Sequence, residues 1–403
     1  MEDRLKEIII SITNRCNLRC AMCQIPQIEN NEEMTTEELK ELISDAANFH
    51  PNSIVFSGGE PLLRKDIFEL ISFANKYKIN TCLTSNGALV NNEIAKRLTS
   101  SGIGVVNISI EGFEDIHDSL RGKGSFKKAV EALEDLSRYR IETTIATVVC
   151  RQNYKFLPYI MELAHQFGVT TVKFQPFSEI FLIKKDEKKN FLTSPNVLEE
   201  IKQSIEKVIE LSREYKIGTN PTNYLYSIPI SLCGLWQNYP HNRCSALWGS
   251  CPISAEGDVR LCWVLSDKLL GNIKKAKLSK IWNSDEHNRL RQLAIREGCP
   301  GCLMSCYDYN FGKYGLRQLF SLKARKFKKP KFYKRIYYRI YQYQRYISRK
   351  IINRIANLGI SQKRYNSDTT QALEEIKVAK DMLKRELKIL KEYERGYTLY
   401  PLF

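Results

Sequence analysis

Three cysteines, Cys16, Cys20 and Cys23, stand in one short segment with the spacing Cys-x3-Cys-x2-Cys. Thiolates so placed on a compact loop suit a metal centre. They can hold three irons of a cubane, leaving the fourth iron without a cysteine from the loop, or supply three of the four ligands of a zinc knot. A cubane with an open iron can take a substrate or cofactor, whereas one held by four cysteines serves electron transfer or structure. The nearest histidine is His50, so a zinc knot has no nearby fourth ligand. A second group comprises Cys244, Cys251, Cys262, Cys299, Cys302 and Cys306, with Cys233 just before it. Cys82 and Cys150 stand apart in apolar or β-branched surroundings and read as buried structural thiols.

The elements that must position the first group are legible from periodicity. Strands are expected at Ile8–Ile12, Ser53–Ser57, Asn80–Thr84, Val105–Ile110, Thr143–Val149 and Thr170–Gln175. Helices are expected between them at Thr36–Ala47, Ile67–Lys78, Asn91–Ser100, Ser125–Tyr139 and Phe156–Phe167, and a further one at Asn196–Tyr215. Strands joined by helical crossovers imply a parallel sheet covered by helices. The expected class is α/β, a partial (β/α)6 TIM-type barrel, with an open doubly wound sheet as its rival. In either, active residues belong at the C-terminal ends of strands. The polar and glycine motifs fall there: Ser57-Gly58-Gly59-Glu60-Pro61, Thr84-Ser85-Asn86-Gly87, Ser109-Ile110-Glu111-Gly112, and Arg151 with Asn153. Read alone, the first is a tight turn with a surface glutamate and the second a plain Asn-Gly turn.

The segment TNRCNLRCAMCQIP resembles the cluster loop of the radical S-adenosylmethionine superfamily, and the GGEP, TSNG and S-x-E-G segments resemble its cofactor-binding motifs. The resemblance covers about Ile8–Phe177. It implies a [4Fe–4S] cluster on Cys16, Cys20 and Cys23 whose open iron chelates S-adenosylmethionine, and reductive cleavage of that cofactor to a 5'-deoxyadenosyl radical. It also implies that Gly58, Gly59, Glu60 and Pro61 meet the methionyl amine, and that Ser109 and Glu111 contact the ribose or carboxylate portion. The family commonly has aspartate where Glu111 stands. Arg151 is a further candidate for the cofactor carboxylate. Ile116-His117-Asp118 and Arg121–Phe126 resemble an "HD…RG…GSF" segment of peptide-modifying and dehydrogenating members; His117 reads as a positioning group rather than a proton carrier.

The second group resembles the auxiliary domains called SPASM and Twitch through Cys244-x12-Gly257-x4-Cys262 and Cys299-x2-Cys302. The segment CPISAEGDVRLC reads as a small hairpin. No cysteine follows Cys306, and only seven occur from Cys233 onward, too few for two fully cysteine-ligated cubanes. The expectation is one auxiliary [4Fe–4S] cluster on Cys244, Cys262, Cys299 and Cys302, with Cys306 and then Cys251 as replacement ligands. Such a cluster can take an electron from a substrate radical, which favours an oxidoreductase acting on a small polar or glycan-like substrate. A peptide-modifying maturase is the alternative, weakened by the short stretch ahead of the first strand. A scaffold with structural clusters is the reading from a different class. A flavodoxin- or ferredoxin-like electron donor is implied; no catalytic base stands out among the carboxylates.

The domains expected are 1–230, the radical core and linker; 231–312, a cysteine-rich α+β unit; and 313–403, a basic helical extension. The chain of 403 residues carries 62 Lys and Arg against 45 Asp and Glu, a net charge of +17. Residues 321–354 hold 13 of those cations and no acid. Three explanations compete for this stretch: contact with an anionic membrane surface, nucleic-acid binding, and a solvated face of a packed helix. Nucleic acid is the least favoured. Thr370–Tyr393 is expected to be a further helix. No apolar run is long enough to span a bilayer and no signal segment is evident, so a cytoplasmic location, peripheral to the inner face of the membrane at most, is expected.

Overall fold

The computed structural model describes residues 5–28, 32–235, 246–265, 268–297 and 302–304. Cys244, Cys299, Cys306, the basic stretch 321–354 and the helix expected at Thr370–Tyr393 lie outside them.

The strands are β1 (Glu7–Thr13), β2 (Ser53–Gly58), β3 (Asn80–Ser85), β4 (Val105–Ser109), β5 (Glu142–Val149), β6 (Thr171–Pro176), β7 (Gly218–Thr219), β8 (Ser250–Ile253), β9 (Asp258–Arg260) and β10 (Leu269–Asn272). They form one sheet in the order β10-β9-β8-β1-β2-β3-β4-β5-β6-β7. From β8 through β7 every neighbouring pair is parallel, and β9 and β10 are antiparallel additions. The helices are α1 (Thr36–Ala46), α2 (Ile67–Lys76), α3 (Asn92–Ser101), α4 (Glu114–Arg121), α5 (Ser125–Arg138), α6 (Leu157–Gln166) and α7 (Leu198–Tyr215), with shorter turns between and after them. Repeated β-α crossovers along a parallel sheet give the partial TIM-type barrel expected from the sequence.

Local chemistry explains the boundaries. Helix α1 starts on a capping box: Thr35 Oγ1 accepts from the Glu38 amide at 3.2 Å, and the Thr35 amide donates to Glu38 Oε2 at 2.8 Å. Such a cap contributes about 1 kcal/mol. Helix α3 is capped by Asn91 and stops at Gly102, which is left-handed with φ +77°. Helix α4 is an addition to the expected set. Its acidic first turn, Glu114 and Asp115, and the stop at Gly122 (φ +118°) delimit it, but eight residues are too few for a clear period in the sequence.

Alternate strand residues divide the barrel into two faces. Ile8, Ile10, Ile12, Ile54, Phe56, Leu83, Val106, Ile108, Val172 and Phe174 are almost wholly buried in one cluster with the apolar stripes of the helices. Each such side chain contributes roughly 1.5–3 kcal/mol on burial. The opposite face carries Ile9, Ser11, Ser57, Thr84, Asn107 and Gln175, all only partly buried. This inner face is the concave side of the half-barrel, and it is polar and partly open to water.

The hairpin expected at Cys251–Cys262 is present as β8 and β9, with Gly257 in its turn at φ +91°. It also continues the main sheet: β8 lies parallel to β1, with Ile8 opposite Cys251 and Ile10 opposite Ile253. Pairing with β8 gives β1 hydrogen-bonded neighbours on both sides, which the local pattern of the hairpin cannot announce.

Candidate active site

The cysteine loop leaves β1 at its C-terminal end, where sequence reasoning placed it. Its thiols are half-buried, and Cys16, Cys20 and Cys23 form no disulfide. A tight turn holds the last two, the Cys23 amide donating to the Cys20 carbonyl at 3.1 Å. The GGEP segment closes onto the loop from β2. The Gly59 amide donates to Thr13 O at 2.7 Å and the Glu60 amide to Arg15 O at 2.9 Å. Both glycines are required by this approach. A Cβ on Gly58 would stand 2.3 Å from Thr13 O, and one on Gly59 2.2 Å from Arg15 O. The glycines therefore admit the backbone of the cysteine loop itself.

Glu60 is fully buried and turned towards the end of β3. Its Oε1 accepts from Ser85 Oγ at 3.0 Å and from the Leu62 amide at 3.2 Å, and its Oε2 from the Asn86 amide at 2.8 Å. Burial pushes its carboxyl up to about 6, while the Asn86 and Leu62 amides and Ser85 pull the other way. Pro61 is buried as the first residue of a short 3-10 turn. Asn86 in turn donates from Nδ2 to Asn17 Oδ1 at 2.8 Å and lies 3.7 Å from Cys16 Sγ. The GGEP and TSNG motifs thus meet each other and the cysteine loop.

Ser109 ends β4 and is almost fully buried. Glu111 just beyond it is wholly buried, and both its carboxylate oxygens are engaged. Oε1 accepts from Arg121 Nε at 2.8 Å and Nη2 at 2.6 Å, and Oε2 from the Val148 amide at 2.8 Å. Arg121, at the end of α4, lies 4.0 Å from Cys20 Sγ through Nη1. Burial pulls its guanidinium down, but Glu111, Cys20 and Cys23 outweigh that and hold it above its ordinary value. A cation stands beside thiols that must be deprotonated to bind metal. Burial pushes the Cys20 thiol up to about 11 and Arg121 opposes it.

His117 is wholly buried behind this pair, its Nδ1 accepting from the Glu111 amide at 3.2 Å and its ring edge-on to Phe126. Burial, with Arg121 adding, brings it down to about 3, so it is neutral and positions the Glu111 backbone. Arg151 is exposed after β5, its amide donating to Phe191 O. Asn153, two residues on, is wholly buried: its Nδ2 donates to Glu111 O at 2.9 Å and Val148 O at 2.7 Å. Arg121 escaped the sequence reading as a site residue, although it opens the Arg-Gly segment ten residues after Glu111. Its signal was a single arginine ending a helix too short to be read.

In the second region, Cys262 follows β9, nearly buried, and accepts from the Leu265 amide at 3.1 Å. Cys302 packs against the cluster of Ala246 and Met304, as do Trp263 and Ile9, and Ile9 belongs to the inner barrel face. Cys251 is wholly buried in β8, and burial pushes its thiol far up. Cys233 is buried against Thr193 and Ser194, its Sγ 3.3 Å from Thr193 Oγ1. Cys82 and Cys150 are thiols of the barrel, pushed up to about 12 by burial. Among the described residues no three His, Cys, Asp or Glu side chains are placed to hold a metal ion.

The Radical SAM superfamily model matches residues 10–164, and the model of an iron-sulfur cluster-binding domain, SPASM, matches residues 244–307. The chain belongs to the radical SAM superfamily. It is an enzyme of that superfamily, with S-adenosylmethionine and [4Fe–4S] clusters as its cofactors. The donor types suit these cofactors, three thiols on one rim loop with an arginine beside Cys20 and a buried glutamate on the adjoining segment, although the thiols are not gathered to metal-binding distances. It is 31% identical to Fe-coproporphyrin III synthase of Methanosarcina barkeri over 216 residues, covering 53% of each chain, so it spans about half the length of that relative. It is 28% identical over 308 residues to mycofactocin maturase MftC of Mycolicibacterium smegmatis, covering 72% of this chain and 74% of the relative. The fold is shared with the crystal structure of Streptococcus suis SuiB bound to S-adenosylmethionine, at TM-score 0.59 and 16% identity, over 72% of this chain and 68% of that one.

Proposed function

We propose that this radical SAM enzyme is an oxidoreductase, abstracting a hydrogen atom from a polar organic substrate held in the half-barrel, releasing a proton from the substrate radical to water, and passing the second electron to a cluster in the SPASM region. The observation that carries the reading is the junction of Cys16, Glu60, Asn86 and Arg121 at the barrel rim, directly above an open polar inner face. When bound, the reduced cluster and its cofactor supply a 5'-deoxyadenosyl radical.

The residues of the chain have the following parts in this reading. Cys16, Cys20 and Cys23 ligate the first cluster, and Arg121 balances the negative charge of their thiolates. Gly58 and Gly59 let the cofactor segment lie against the loop, and Glu60 offers a buried carboxylate to the methionyl amine. Ser109 faces the ribose or carboxylate portion. Glu111 acts through Arg121 as a positioning residue, because its charge is already paired with that guanidinium, whereas Glu60 accepts only from neutral donors. Arg151 reaches the cofactor carboxylate. Cys262 and Cys302, with Cys244 and Cys299, ligate the auxiliary cluster, and Cys306 is the replacement ligand. A small polar or glycan-like substrate suits the hydroxyl-lined inner face. The likeness to a mycofactocin maturase favours a peptide as the second reading. The electron enters from a flavodoxin- or ferredoxin-like donor, and the basic stretch 321–354 meets an anionic membrane surface.

Anaerobic reconstitution tests this. Two cubanes would bring about eight irons per chain. Reduced protein should form 5'-deoxyadenosine, at a rate raised by one member of a panel of sugars, cyclitols, peptides and tetrapyrroles, with an oxidised product. Absence of 5'-deoxyadenosine from intact, reducible clusters would sink the radical reading. An unoxidised, rearranged product would sink the oxidoreductase reading alone. Salt-sensitive binding to phosphatidylglycerol vesicles supports the membrane contact, and binding to neutral vesicles alone refutes it.

A further inference from the structure

The inner barrel face carries a charge that the rim chemistry does not use. In β6, Val172, Phe174 and Pro176 are buried on the helix-covered side, so Thr171, Lys173 and Gln175 stand on the opposite face. The ladder fixes the neighbours of Lys173. It pairs with Ala146, and Ala146 pairs with Ser109. In-register residues of parallel strands project to the same side, so Lys173 shares its face with the rim serine. Lys173 is exposed, while its neighbours on that face are mostly half-buried. Among the described residues no carboxylate lies within ion-pair distance of it.

Its surroundings define what it can hold. Lys173 acts electrostatically on Glu7 of β1 and Cys82 of β3, which are five and three strands away along the sheet. Asn107, on the same face, donates from Nδ2 to Cys82 Sγ and Thr84 Oγ1, each at 3.2 Å, and its buried Oδ1 has no hydrogen-bond partner among the described residues. The face therefore offers one ammonium, one spare amide oxygen and several hydroxyls. A dianionic phosphate ordinarily calls on several cationic or backbone donors, and this face offers one ammonium. A single carboxylate fits.

We propose that Lys173 anchors a carboxylate of the substrate inside the half-barrel, in register with Ser109, with Asn107 accepting from a neighbouring hydroxyl, amine or amide donor. This rests on the radical reading for what is done to the substrate, and narrows its class to carboxylate-bearing molecules. The face, and not the rim, then sets specificity.

The test uses the full reconstituted chain and benzoate as probe, because benzoate carries one carboxylate and no other polar group. Benzoate should bind by saturation-transfer NMR, and its uncharged isostere benzamide should not. Lys173→Gln should weaken benzoate by about tenfold or more, the scale of one charge-assisted hydrogen bond, and Lys173→Arg should keep binding. Because Lys173 is exposed, neither change removes packed core volume. Equal binding of benzoate and benzamide, or of benzoate to wild type and Lys173→Gln, overturns the proposal. The 5'-deoxyadenosine yield of the wild type, read on the same samples, judges the radical reading separately: its failure leaves the benzoate result standing, and the reverse also holds.

Discussion

The two cysteine regions are built on opposite plans. Cys16, Cys20 and Cys23 lie within eight residues, and the fold comes to them: GGEP from β2, Asn86 from β3 and Arg121 from α4 all close on that one loop. Cys262 and Cys302 are forty residues apart in sequence and depend on the fold to meet anything. The first plan makes the ligands local and their environment distant. The second makes the ligands themselves distant. Losses in the first region should therefore be chemical and complete, whereas losses in the second should separate the start of the reaction from its end.

The largest effect expected is for Cys20→Ala. It should abolish 5'-deoxyadenosine formation to the level of buffer and leave about half the iron, that of the auxiliary cubane. Cys262→Ala should do the converse, keeping cofactor cleavage and losing the oxidised product. Iron content, 5'-deoxyadenosine and product measured on both variants break the comparison if Cys262→Ala also stops cleavage, since the two regions would then form one functional unit.

Next comes the buried pair that braces the first region. Glu111→Gln leaves the Arg121 charge without its carboxylate, where the side chains are 0% and 13% exposed. Breaking a buried pair from one side costs about 3 kcal/mol or more, to be read from the denaturant midpoint. A loss below about 1 kcal/mol would show that the thiols alone hold Arg121. Gly59→Ala should cost about 1–3 kcal/mol through overpacking, with loss of iron from the first site. Its Cβ would meet backbone at Arg15 and Asn14, at 2.2 and 2.8 Å, which cannot rotate away as a side chain can. Full iron loading in Gly59→Ala would mean that the loop shifts freely and that the close approach is unimportant.

This difference between the regions also explains what the sequence could tell. Strand alternation and helix caps such as Thr35–Glu38 are local, and they announced six parallel strands and the helices between them. The cysteine loop and its glycines were legible because each motif is contiguous, but the motif did not announce that the GGEP backbone closes on the cysteine loop itself. Arg121 was not legible, because its role depends on a helix of eight residues bringing it to Cys20. Nor was the pairing of β8 with β1, since a hairpin's own pattern does not say what covers its outer edge. Lys173 was hidden differently: one lysine in an apolar strand marks a face only once the register assigns that face to the inside.

The smallest effect is on pH, and it compares the regions through one buried histidine in each. His117 and His287 are both fully buried, and each Nδ1 accepts from a backbone amide, of Glu111 and of Asn283. Burial is the first cause in both, and both fall from 6.5 to about 3. A base held neutral in this way contributes stability that is complete above its ordinary value and is lost as the pH drops towards 3. From pH 6.5 to 5.5 each should cost about 1 kcal/mol. Glu60 works in the other direction: raised from 4.5 to about 6, it favours the fold at low pH and loses that contribution as the pH rises through 6. The total slope is therefore muted, and the informative quantity is the difference between wild type and His117→Asn or His287→Asn. If the barrel and the hairpin region unfold together, each substitution should flatten the same single transition by the same amount. If His287→Asn changes only a separate, earlier transition, the shared β8–β1 sheet does not couple the two cysteine regions. If neither substitution changes the slope, the histidines are not neutral in the fold and the account of His117 as a positioning group fails.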